Sequence, residues 1–141
     1  MMKYAAPLAG VIVLAACAPV VEPRTPVAAV EPAVEIAGES RTCVNASSIR
    51  STSVRGDGVI DFTLTGGDVY RNALGGGCPA LRRNDAISYD VRGGSLCQGE
   101  IVYRLDTYGN RLSRGAGCGL GEFVPVEYVD QVSDGPTIMG E

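Results

Sequence analysis

From residue 4 to residue 16 the chain carries no charged side chain, and Leu8, Val11, Ile12, Val13 and Leu14 supply its apolar weight. These thirteen residues fall short of the roughly 20 needed to span a bilayer as a helix, and Pro7 and Gly10 interrupt any helix there. With Lys3 ahead of the run and small residues at its end, residues 1–16 have the pattern of a secretory signal. The pattern then loses all periodicity. Residues 18–40 scatter Pro19, Pro23, Pro26 and Pro32 among Ala, Val and Glu. Proline fixes φ and removes a backbone donor, so neither a helix nor a central strand is expected. The reading is a disordered spacer that at about 3.1 Å per residue could reach roughly 70 Å, and that a protease would cut before anything else.

Period-two alternation begins beyond Arg41. Ile60, Phe62 and Leu64 alternate with Asp61, Thr63 and Thr65, which predicts a half-buried strand. Gly66-Gly67 turns the chain toward a return strand carrying Val69, Tyr70 and Leu74. Ile87, Tyr89 and Val91 form a further alternating run that ends in the turn 92–95. Ile101, Tyr103 and Leu105 form another, ending in the turn Tyr108-Gly109-Asn110-Arg111. Residues 49–54 offer a first strand and 123–129 a last one, which Pro125 marks as an edge. Only 78–83, with Pro79 in its first turn, hints at a helix. The expectation is an all-β domain over residues 41–130, a small antiparallel barrel or sandwich of about six short strands, followed by a flexible tail over 131–141.

The apolar run stops at Leu14-Ala15-Ala16-Cys17, which resembles a bacterial lipobox. The resemblance implies cleavage before Cys17 and acylation of its sulfur. Several acyl chains would then hold the protein on a membrane durably. Ala18 lacks the aspartate typical of inner-membrane retention, so the resemblance implies the periplasmic face of a Gram-negative outer membrane. Using Cys17 for lipid explains an odd count of five cysteines and leaves Cys43, Cys78, Cys97 and Cys118. Outside the cytoplasm four cysteines favour two disulfides, with three possible pairings. Zinc would want close pairs such as C-x₂-C, and the separations here are 35, 19 and 21 residues. If the 87–91 strand returns through the 92–95 turn, Cys78 meets Cys97 and leaves Cys43 for Cys118. The rival pairing joins sequence neighbours, Cys43–Cys78 and Cys97–Cys118.

Composition narrows the chemistry. The chain has no histidine, and its one lysine lies in the signal, leaving eleven arginines against sixteen acids. That balance excludes a nucleic-acid-binding surface, which needs clustered positive charge. The excess acids lie outside residues 41–130, in the spacer and the tail. Without histidine there is no Ser-His-Asp or Cys-His site, and without a mature lysine no Schiff base. Carboxylate pairs remain, Glu100 with Asp106 and Asp57 with Asp61, each read as solvated strand-end charges in preference to a glycosidase pair. Arg55-Gly56-Asp57, Asn45-Ala46-Ser47, Gly75-Gly76-Gly77, the oxygen-rich 106–110 turn and Arg82-Arg83 are read as turn and surface features. No metal or cofactor is expected.

"YRNALGGGCPALRR" (70–83), "SLCQGEI" (95–101) and "GCGLGEFVPVEY" (117–128), with the start at Cys43, are similar to a family of small proteobacterial lipoproteins known only as a domain of unknown function. The resemblance spans roughly residues 41–129 and implies one cysteine-bearing envelope domain, with no activity attached. The leading expectation is a non-enzymatic envelope lipoprotein that binds a protein partner or supports envelope structure. The alternative is a proteinaceous inhibitor of a hydrolase such as lysozyme, for which an ordered protruding loop would be the structural sign. A carboxylate enzyme and a small-ligand binder, which would show an apolar pocket, rank below these. The oligomeric state is left open.

Overall fold

The computed structural model describes residues 27, 30–56 and 58–129. The expected signal, Cys17, most of the spacer upstream of residue 30, and the tail from 131 lie outside them. Ten strands follow in order: β1 (Val34–Ile36), β2 (Cys43–Asn45), β3 (Ile49–Gly56), β4 (Val59–Leu64), β5 (Val69–Ala73), β6 (Ile87–Tyr89), β7 (Ser95–Cys97), β8 (Ile101–Tyr108), β9 (Arg111–Gly119) and β10 (Phe123–Tyr128). They form a five-stranded sheet β1-β10-β5-β4-β3, a three-stranded sheet β6-β8-β9 and the pair β2-β7, with every pairing antiparallel. The architecture is all-β and fits a sandwich.

One core joins the three sheets. The inward positions of β4, Ile60 and Phe62, meet Phe123 of β10, Val44 of β2, Leu96 of β7 and Val102 of β8. Phe62 meets Phe123 edge-to-face at 5.4 Å and Tyr89 at 6.4 Å, the offset geometry aromatic rings prefer. The crossing from β9 to β10 is held by Asn72. Its amide donates to the Gly121 carbonyl and accepts the Gly121 N–H, both at 2.8 Å, so a side chain completes a strand-like pairing. Gly121 is required there because a β-carbon would run into the Ala73 carbonyl.

Four expectations are corrected. The disulfides are Cys43–Cys97 and Cys78–Cys118, the third of the three pairings and neither of those argued from sequence. The turn 92–95 is present, but β7 leaves β6 after it and pairs with β2, which places Cys97 opposite Cys43 with their Cα atoms 4.0 Å apart. Cys118 on β9 is then left for Cys78, which follows the glycine loop after β5. The ordered domain also begins before Arg41. Residues 34–36 form β1 on the edge of the large sheet, so the downstream part of the expected spacer is folded. For the same reason β10 is no edge. Pro125 is tolerated because its carbonyl accepts from Ala37, beyond the end of β1, and its missing donor would point that same way. Residues 78–83 form no helix; Leu81 N–H bonds the Cys78 carbonyl and Asp85 N–H the Arg82 carbonyl, giving two successive turns.

Candidate functional site

The outer face of the five-stranded sheet, the one turned away from the core, carries a buried ionic cluster. Asp61 and Arg71 stand opposite each other on β4 and β5, both with fully buried side chains. Arg71 Nε donates to Asp61 Oδ1 at 2.7 Å and its Nη2 to Oδ2 at 3.1 Å. The other donors of Arg71 reach backbone carbonyls of the N-terminal strap: Val30 at 2.7 Å, Pro32 at 2.9 Å and Val27 at 3.1 Å. All five guanidinium donors are therefore satisfied, as burial of a charge demands. Arg55 Nε donates to Asp61 at 2.7 Å, and the Tyr128 hydroxyl accepts from Arg55 at 2.8 Å while donating to Asp61 at 2.9 Å. Burial pushes the Asp61 carboxyl up. The hydrogen bonds from Arg71 and Arg55, the Arg71 charge and the Tyr128 hydroxyl outweigh it and hold the carboxyl below its usual range. Burial raises the Tyr128 hydroxyl. Val30, Val34, Val59 and Val126 are buried as well, so the strap closes a small apolar layer over the cluster.

Of the four carboxylates considered for catalysis, the three within the described residues are each occupied structurally, and Asp57 lies outside them. Asp61, expected as a solvated strand-end charge, is instead buried in this cluster, where its arginine partners offset the cost of burial. Glu100 accepts the Cys97 N–H at 2.6 Å, closing a turn. Asp106 accepts from Arg104 at 2.7 Å. Asn45 caps the 3₁₀ turn Ala46–Ser48 through the Ser47 N–H. Gly76 and Gly77 take positive φ in the loop after β5. The Arg82 N–H bonds the Asp85 side chain at 2.8 Å. Among the described residues no group of three or more His, Cys, Asp or Glu side chains is placed to hold a metal ion, and no helix is long and apolar enough to cross a membrane. A groove of about 780 Å³ runs between residues 37–41 and β10, lined in part by Glu39, Asp68, Glu127 and by Arg41 stacked on Tyr70.

The most exposed structured element is the β8–β9 hairpin. β6 spans only residues 87–89 and pairs with Val102, Tyr103 and Arg104, so β8 continues past it unaccompanied except by β9. Residues 107–114 are all exposed. At the tip, Tyr108 is 71% and Leu112 is 70% exposed. Gly109, with φ +60°, opens the two-residue loop, which suits a hairpin turn that takes glycine at its first central position. The hairpin is braced at its base. Tyr103 lies over Gly117, where a β-carbon would collide with the ring, and the Arg114 guanidinium stacks on Tyr103 at 5.0 Å. Arg114 also grips Asp90 with two bonds of 2.7 and 2.8 Å, which lower the Asp90 carboxyl.

Sequence reading located the tip as a turn, and it placed all four disulfide cysteines without their pairing. It missed the Arg71 cluster. The available signal was an arginine set between Tyr70 and Asn72 inside an alternating strand.

No family model, no curated protein and no solved structure matches the chain.

Proposed function

We propose that the protein is a lipid-anchored binding module of the bacterial envelope, attached through Cys17 and non-enzymatic, whose β8–β9 hairpin is the contact surface for a protein partner. The observation that supports this is the hairpin: eight consecutive exposed residues, with a tyrosine and a leucine at the tip, held out by a twice cross-linked sandwich. Rigid, pre-formed loops bind well because little conformational entropy is lost on contact. Tyrosine and arginine are the side chains that most often anchor interfaces, and the tip offers Tyr108 opposite Arg111. The strap serves the same purpose. The chain arriving from Cys17 is gripped by Arg71 at the carbonyls of Val27, Val30 and Pro32, so the tether enters the domain at a fixed place.

The same hairpin favours a second reading, an inhibitor that inserts the tip into a hydrolase cleft. An ordered protruding loop is the shape that work requires. Assay of the protein against a panel of hydrolases, with Tyr108→Ala as the control, tests it: protection of none discards it.

The anchor is tested by Cys17→Ser. The expected result is complete loss of membrane association and of the acyl mass, with a folded domain released in soluble form. Full partition with membranes after the substitution, together with a wild-type chain free of acyl groups, overturns the anchor.

A further inference from the structure

The contact surface has a free strand edge beside its apolar tip. β9 is the outer strand of its sheet, nine residues long, and among the described residues no strand pairs with its second edge, which is met only at its base, where the Gly75 N–H donates to the Gly119 carbonyl at 3.1 Å. The other sheet edges are less open. β1 and β6 have three residues each, and β3 is broken by two register shifts. An unpaired edge strand presents a row of backbone donors and acceptors to any extended chain that reaches it.

Hairpin geometry shows which groups face outward. A two-residue loop closes on a hydrogen-bonded pair, here Tyr108 and Arg111, and bonded and non-bonded pairs alternate along the ladder. Leu112 and Arg114 therefore turn their backbone N–H and C=O away from β8. The Leu105 N–H, on the residue opposite Arg114, accordingly goes to Ala86 on the far side at 2.8 Å. The next register shift lies beyond Arg114, so residues 111–114 form one regular free edge.

Its charge is one-sided. Residues 111–114 hold two arginines and no acid. Arg111 has no ion pair among the described residues, and Arg114 spends two of its five donors on Asp90. A second copy of this edge paired across the same four residues would set Arg111 against Arg114, which like charge disfavours. Resting on the reading of the hairpin as the contact surface, we propose that the 111–114 edge of β9 captures an extended segment of a partner protein by strand addition, and that this segment carries carboxylates three residues apart. In an antiparallel added strand such residues face Arg114 and Arg111, with an apolar residue opposite Leu112. Backbone bonds supply affinity in this mode and the facing side chains supply selectivity.

The test titrates full-length lipidated protein, in nonionic micelles, with a labelled eight-residue peptide centred on Glu-Thr-Val-Glu and with its Lys-Thr-Val-Lys counterpart. Leu112→Pro removes an outward N–H while keeping both arginines and the ladder to β8. Near-UV circular dichroism and the melting temperature check that this variant folds. The expected result is binding of the glutamate peptide, weakened about tenfold or more by Leu112→Pro and by Arg111→Glu, by the lysine peptide likewise, and unchanged by Arg50→Glu on β3. Equal binding to folded Leu112→Pro, equal binding of the lysine peptide, or no peptide binding overturns strand addition. Binding to phosphatidylglycerol vesicles without peptide binding does the same. None of these outcomes touches cross-linking from the hairpin tip in the envelope, which tests the contact surface by itself.

Discussion

Arg71→Met lowers the unfolding free energy by about 3–5 kcal/mol, the usual cost of removing one partner from a buried ion pair. Arg71 and Asp61 have no exposed side-chain surface, and the lost guanidinium leaves Asp61 to Arg55 and Tyr128 alone. It also strips the carbonyls of Val27, Val30 and Pro32 of their donor, so the strap should detach. Urea unfolding measures the first effect and hydrogen exchange at residues 30–36 the second. The double variant Asp61→Leu/Arg71→Met should lose less stability than the two single losses summed, because no fully buried charge is left unpaired and Arg55, which also loses Asp61, is partly exposed. The cluster also fixes a pH dependence. Asp61 titrates lower in the folded chain than in the unfolded one, where the carboxylate value is about 3.9. Its stabilisation is therefore complete above that value and is lost as pH falls through the depressed folded pKa. In Asp61→Asn that part of the acid slope should disappear.

Reduction of the two disulfides unfolds the domain at neutral pH. The loops they close span 54 and 40 residues. On the chain-entropy model each contributes about 4 kcal/mol, and together they approach the whole stability of an ordinary domain, about 5–15 kcal/mol. They also brace different parts. Cys43–Cys97 ties the two-stranded β2–β7 pair, and Cys78–Cys118 ties the loop after β5 to the base of the β8–β9 hairpin. Circular dichroism before and after reductant should show collapse of the β signal. Non-reducing peptide mapping should return one peptide pair joining Cys43 to Cys97 and another joining Cys78 to Cys118. A peptide linking Cys78 to Cys97 contradicts the fold.

What the sequence disclosed was local. Ile60, Phe62 and Leu64 announce β4 because burial on one face needs only alternation, and Gly66-Gly67 announces the turn after it because positive φ favours glycine. The Gly109-Asn110 turn was legible for the same reason. Choice of sheet was not. Residues 92–95 turn as expected, but nothing near them says that β7 will pair with β2, and the disulfide partners depend on that choice. The strap was hidden by chemistry of a different kind. Arg71 holds it through carbonyl oxygens, which every residue has, so Val27, Val30 and Pro32 leave no trace in side-chain identity. The single alternation Val34-Glu35-Ile36 is too short to stand out beside the prolines before it. Exposure of the hairpin tip was equally unreadable, because it follows from how short β6 is, a fact about a neighbour rather than about residues 107–114 themselves.

Site-specific photo-cross-linking tests the central proposal most directly. A photoreactive residue in place of Tyr108, at the hairpin tip, is compared with one in place of Arg50, on β3, in the protein expressed in its own envelope. The same pair is repeated with Cys17→Ser. The expected result is a single discrete protein adduct from position 108, none from position 50, and loss of the adduct when Cys17 is replaced. Absence of any adduct from position 108, or an adduct that survives unchanged without Cys17, contradicts a lipid-anchored module that binds through its hairpin.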